Sequence, residues 1–257
     1  MKNALLIGLA SLLWFSSPSA KAANLITAAG WVKEGGDVTI VSGTLNIGIG
    51  GDYGEVLQTF ATVPGTTYVL QYNLKTTDEA LASFLADVTG TSALISNAAD
   101  ASPSGVPTTF TAQVAVFTAD STVTTLEFMG SYITLNNVSV TAGSFTKPGK
   151  YTGTAVVTQT LTAATIAGAH TDTVVARVTA SGGVSILDEP FGTYYSGCFL
   201  SGTSIALSGK TSAATLSGDA LKFTVISAYP PAYDASGSGA TAPQSTNSAY
   251  ALTWISN

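Results

Sequence analysis

The chain has 257 residues, of which only 9% are charged, and its formal net charge is −6. So sparse a charge, in a sequence rich in Gly, Ala, Ser, Thr and Val, favours strands and tight turns over solvated helices. Between residues 23 and 141, ten acids oppose only Lys33 and Lys75, a net charge of −8, while residues 142–257 balance; this argues against nucleic acid, whose phosphates demand a basic footprint.

The first residues read as a secretory signal. Lys2 supplies the positive start, Ala4 to Phe15 form the apolar stretch, and Ala20-Lys21-Ala22 is a small-x-small cleavage site. Cleavage near Ala22 implies a secreted or cell-surface destination. No later segment reaches the roughly 20 apolar residues that a membrane helix needs, so no transmembrane segment is expected after cleavage.

Residues 23–141 show period-two segments separated by Gly, Pro, Asn and Asp. Tyr68, Leu70, Tyr72 and Leu74 fall on one face of a strand, with Val69, Gln71 and Asn73 on the other. By the same rule Phe110, Ala112, Val114 and Val116 point one way and Thr111, Gln113 and Ala115 the other, while Leu126 and Phe128 alternate with Thr125, Glu127 and Met129. Pro64-Gly65 and Thr89-Gly90 mark turns. Thr77-Asp78-Glu79 resembles a helix start, but a loop followed by a strand from Phe84 to Val88 is the preferred expectation. The apolar parity is odd at Ile133 and Leu135 and even at Val138 and Val140, so a bulge or a strand start is expected at Asn136-Asn137.

Residues 142–150 lack periodicity and read as a linker. Beyond it, Val174 to Leu187 carries a hairpin signal around Gly182-Gly183, and turn residues recur at Ser201-Gly202 and Ser217-Gly218. Residues 151–257 therefore read as an antiparallel meander or small barrel of no recognised family. Tyr233 to Ser248 is expected to be a loop, and Tyr250, Leu252 and Trp254 a closing strand.

Three segments of the first half carry a resemblance: Asn24-Leu25-Ile26-Thr27 with Trp31, the stretch from Leu57 to Tyr68, and Leu126-Glu127-Phe128 with Leu135 to Val140. Residues 24–141 resemble the galactose-binding-like jelly-roll domains of secreted bacterial proteins, a group that includes carbohydrate-binding modules. The resemblance implies a jelly-roll-like β-sandwich that binds glycans without catalysis. Its structural calcium is not clearly implied, because Ala28-Ala29-Gly30 and Asn136 stand where family members carry acids.

The chemistry-bearing residues are few. His170 is the only histidine and is expected in a turn; no Gly-x-Ser-x-Gly elbow accompanies it. Ser144 to Lys147 matches Ser-x-x-Lys but is bracketed by Gly143 and Pro148, and Asp188 and Glu189 are neighbours that a strand would point apart. Cys198 is the only cysteine, which excludes an intramolecular disulfide and fits a small buried residue. In the loop from Gly48 to Glu55, Asp52 and Glu55 offer oxygens to a calcium ion and Tyr53 a ring for a sugar, against the plainer reading of a glycine hairpin.

Gln71, Asn73, Gln113 and Glu127 are the outward polar positions that would bind a glycan if their strands are neighbours on one sheet. Tyr194, Tyr195, Phe199, Tyr229 and Tyr233 form either an aromatic platform or core packing. The expectation is an exported, non-catalytic glycan-binding or surface-adhesion protein with no cofactor beyond that calcium. The alternative is a structural, self-associating component of the cell surface or matrix, pairing through strand edges.

Overall fold

The computed structural model describes residues 23–78, 81–90, 97–100, 106–161, 170–188, 193–200, 204–207, 210–229 and 244–256. Residues 1–22, which were read as a signal, Ser201-Gly202, Glu189 and Tyr233 lie outside them. All regular structure among the described residues is β-strand.

Ten strands build the first half: β1 (Val32–Gly35), β2 (Val38–Val41), β3 (Thr44–Ile47), β4 (Gly54–Ala61), β5 (Thr67–Thr76), β6 (Ser83–Thr89), β7 (Asn97–Asp100), β8 (Thr111–Thr118), β9 (Val123–Ser131) and β10 (Ile133–Ala142). They form two five-stranded antiparallel sheets, ordered β1-β4-β9-β6-β7 and β2-β3-β10-β5-β8. The chain passes repeatedly between the sheets, giving the jelly-roll-like sandwich expected. Alternation hides one side of each strand: Val56, Phe84, Leu126 and Phe128 from one sheet meet Leu45, Leu70, Tyr72 and Leu135 from the other. Tyr72 and Phe128 pack edge to face with centroids 5.2 Å apart.

The parity break is a bulge. Asn136 pairs with Asn73 but Ser139 pairs with Gln71, so β10 carries one extra residue there, and Asn137 takes a left-handed conformation with φ 54°. That residue lets both Leu135 and Val140 be buried. The Asn24 carboxamide oxygen accepts from Val140 N–H at 2.9 Å, and Leu25 N–H donates to the Val140 carbonyl at 2.9 Å, which ties the N-terminal segment to the bulge. Gly65 and Gly90 have the positive φ that their turns need, and the strand expected from Phe84 to Val88 is β6.

Eight strands build the second half: β11 (Gly149–Leu161), β12 (His170–Val178), β13 (Gly183–Asp188), β14 (Thr193–Leu200), β15 (Ser204–Leu207), β16 (Lys210–Ser217), β17 (Ala220–Tyr229) and β18 (Gln244–Ser256). Each pairs antiparallel with the next, and β11 pairs with β18, so the meander closes into a barrel. Tyr151, Val174, Ala176, Ile186, Phe199, Leu221 and Leu252 fill its interior. Closure removes the strand edges of this half; in the sandwich, edge strand β1 carries the exposed charges Lys33 and Glu34.

Two expectations of local structure need correction. Gln244 to Ser248 belong to β18 and not to a loop, because β11 and β17 flank them as ladder partners. His170 does not sit in a turn: it opens β12, opposite Val157. Phe199 takes the core-packing alternative, fully buried and stacked on Phe145 with centroids 4.3 Å apart; the side chains of Tyr194, Tyr195 and Tyr229 lie outside the described residues.

Residues 143–148, between β10 and β11, are packed. Gly143 N–H donates to the Thr67 carbonyl at 2.9 Å, Ser144 N–H to Phe199 at 3.2 Å and Phe145 N–H to Ala180 at 3.1 Å. A small apolar cluster of Val69, Val114, Cys198 and Ala206, with Val116 and Leu200 against it, joins the outer side of β5 and β8 to the barrel wall.

Candidate functional site

The faces of β8 are decided by pairing. Tyr72 stands opposite Gln113, Leu70 opposite Ala115 and Tyr68 opposite Phe117, and partners across an antiparallel pair point to the same side. Gln113 therefore shares the inner face with Tyr72 and is not an outward neighbour of Gln71 and Asn73. Period two could not reveal this, because β8 is apolar on both sides: Ala115 and Phe117 face the sandwich core, Val114 and Val116 the barrel.

Glu127 is also separated from Gln71 and Asn73, because β9 belongs to the other sheet. The four residues expected to share a face thus lie in three places. Gln71 and Asn73 remain together on the outer face of the β2-β3-β10-β5-β8 sheet.

That face is a polar shelf. Its rows follow the register: Thr39, Asn46, Thr134 and Lys75 across β2, β3, β10 and β5, then Asn136 beside Asn73, then Ser139 beside Gln71. Asn46 donates to Thr39 Oγ1 at 3.3 Å, Thr134 Oγ1 donates to Asn46 Oδ1 at 3.1 Å, and Asn73 Nδ2 donates to Asn136 Oδ1 at 3.0 Å. These bonds hold the side chains in fixed orientations. No hydrogen bond found among the described residues uses Asn73 Oδ1 or the Asn136 amide nitrogen, which leaves an acceptor and two donors for a ligand. Lys75 Nζ lies 4.7 Å from the centroid of the Phe110 ring, and Phe110 is 43% exposed at the shelf margin. At the other end the Val69, Val114 and Val116 side chains meet the barrel, which forms a step.

The shelf residues that sequence reasoning missed are Asn46, Thr134 and Asn136. Asn136 was legible as an irregularity, but the register that sets it beside Asn73 depends on the bulge.

The opposite sheet presents an acidic patch. Glu127 faces Asp87 directly across β9 and β6, and Glu55 lies on β4, two residues before Leu57, the partner of Glu127, and so on the same face. Glu127 is raised from the ordinary 4.5 to about 7, first by burial, then by its hydrogen bond with Glu55 and the charges of Glu55, Asp87 and Glu34. Tyr53 stands beside them, about half exposed, its phenol pKa raised by burial and by Glu55 and Glu127.

The glycine loop is held by an acid that sequence reasoning did not single out. Asp37 Oδ2 accepts from Gly50 N–H at 2.8 Å, and its carbonyl accepts from Gly48 N–H at 2.6 Å. Asp52 is exposed on this loop, while the Glu55 carboxyl is engaged with Glu127. Among the described residues no group of three or more His, Cys, Asp or Glu side chains is placed to hold a metal ion, and Asp52 and Glu55 by themselves supply two carboxylates. A hard cation would need more converging oxygens.

Fold and surface together define an all-β chain, a jelly-roll-like sandwich joined to a closed eight-stranded barrel, with a flat amide and hydroxyl face on the sandwich. No family model matches the chain, and no curated protein does. A solved structure titled "CBM4 structure and function" aligns with 43% of this chain and 93% of its own length, at 16% identity and a TM-score of 0.28.

Proposed function

We propose that this is an exported, non-catalytic glycan-binding protein whose docking face is the shelf around Asn73, Asn136 and Gln71. The reading is carried by one observation: the carboxamides of Asn73 and Asn136 are locked side by side on an open sheet face, with two donors and an acceptor to spare. A sugar hydroxyl both donates and accepts, so it needs such bifunctional partners. Preorganised side chains lose little entropy on binding. The half-exposed Phe110 ring beside Lys75 offers an apolar face to the C–H side of a sugar ring.

The test is retention of the full chain on a panel of insoluble neutral polysaccharides, with Asn73→Ala and Asn136→Ala alongside. Binding of at least one polysaccharide is expected, weakened about tenfold or more by either change, the equivalent of one or two lost hydrogen bonds. Failure to bind any member, or binding untouched by both changes, overturns the reading.

A further inference from the structure

Arg177 is the only arginine in the chain. Its neighbours on β12, Ala176 and Val178, are buried in the barrel core, so Arg177 projects from the outer wall, where it is exposed. The register sets it directly between Lys150 on β11 and Ser185 on β13. Two like charges directly opposite across a strand pair are destabilising without a counter-charge. Among the described residues the ion pair found is Lys147 with Asp219, and neither Lys150 nor Arg177 takes part in it.

Arg177 also lines an open groove of about 380 Å³ between barrel and sandwich. One wall carries Arg177, Thr179 and Ser185, and the facing wall carries Thr67, Val116 and Thr118. Thr67 and Thr118 share a hydrogen bond of 3.2 Å, which fixes their hydroxyls. The groove has room because Gly183 lacks a side chain: a Cβ there would stand 2.5 Å from Thr67 Oγ1.

We infer that this groove binds a carboxylate-bearing sugar residue, such as a uronic acid of an acidic polysaccharide. The planar guanidinium matches a carboxylate through two parallel hydrogen bonds, and Lys150 adds a second positive charge beside it. The threonine and serine hydroxyls supply partners for sugar hydroxyls, and Val116 an apolar contact for the ring. The inference is independent of the shelf, which lies beyond the barrel contact and lacks the Arg177 and Lys150 pair.

The experiment is calorimetric titration of the full chain with a uronic acid trisaccharide, its carboxyl-reduced neutral counterpart and a neutral trisaccharide bearing one sulfate. The uronate is expected to bind, with affinity falling as salt is added. Arg177→Gln should weaken it about tenfold or more and Lys150→Gln a few-fold. Thr118→Val, on the facing wall, should also weaken it, and thermal melts of each variant show whether the fold persists. Equal binding of the neutral counterpart, stronger binding of the sulfated sugar, unchanged affinity in Arg177→Gln, or no uronate binding at all would each overturn the assignment.

Discussion

Glu127 on β9 and Glu55 on β4 set their carboxyl groups side by side, and burial first, then the Glu55 carboxyl, raise the Glu127 pKa. Asp87, directly across from Glu127, adds a further carboxylate to the same face. The sheet therefore carries a group whose ionisation works against the fold.

Stability should depend on pH in a defined direction. The Glu127 pKa is raised in the folded chain to about 7 from an ordinary value of 4.5, so the protonated group favours folding fully below the ordinary value. That contribution is lost as pH rises through about 7. Thermal melts should give a lower Tm at pH 8 than at pH 5, and Glu127→Gln should flatten that slope. A Tm that rises across this interval in the parent chain and is unchanged in the variant would contradict the account.

The Cys198 thiol is pushed up to about 12 by burial, and it packs with Val69, Val114 and Ala206 where barrel and sandwich meet. Thiolate is the reactive form, so the folded chain should resist iodoacetamide at pH 8 and react readily once denatured. Gly143 lies against the same sulfur: a Cβ there would collide with Cys198 Sγ and stand 2.6 Å from the Ser181 carbonyl oxygen. Gly143→Ala should therefore cost about 1–3 kcal/mol and hasten labelling of Cys198 in the native chain. Labelling at the parent rate, with unchanged stability, would show that the junction is looser than described.

Asn137 holds the bulge in a left-handed conformation that a β-branched residue tolerates poorly. In urea titrations Asn137→Val should destabilise the chain by about 1–2 kcal/mol, whereas Asn137→Gly should be neutral or stabilising. Since the bulge also sets Asn136 beside Asn73, Asn137→Val should weaken polysaccharide retention under conditions where the variant is still folded. Equal stability of the two variants would remove the conformational argument.

Particular residues show where local pattern ends and assembly begins. Ile133, Leu135 and Val140 demanded an extra residue between them, because side chains alternate strictly along a strand, and the bulge at Asn137 supplies it. Phe84 to Val88 and the hairpin around Gly182 were readable for the same local reason. Gln113 shows the limit: with apolar residues on both sides of β8, alternation identifies two faces without saying which is inside. Glu55, Asp87 and Glu127 are far apart in sequence, and nothing local announces that three strands place them together.

The amino-acid sequence alone determined that this chain is strands and turns, since alternation, turn residues and sparse charge act over a few neighbouring positions. Only the tertiary structure decided that the second half closes into a barrel, that Gln71 and Asn73 part company with Gln113 and Glu127, and that Arg177 meets Thr118 across a groove. Those outcomes depend on which strands become partners and in what register, a choice made by packing and hydrogen bonding between segments far apart in the chain.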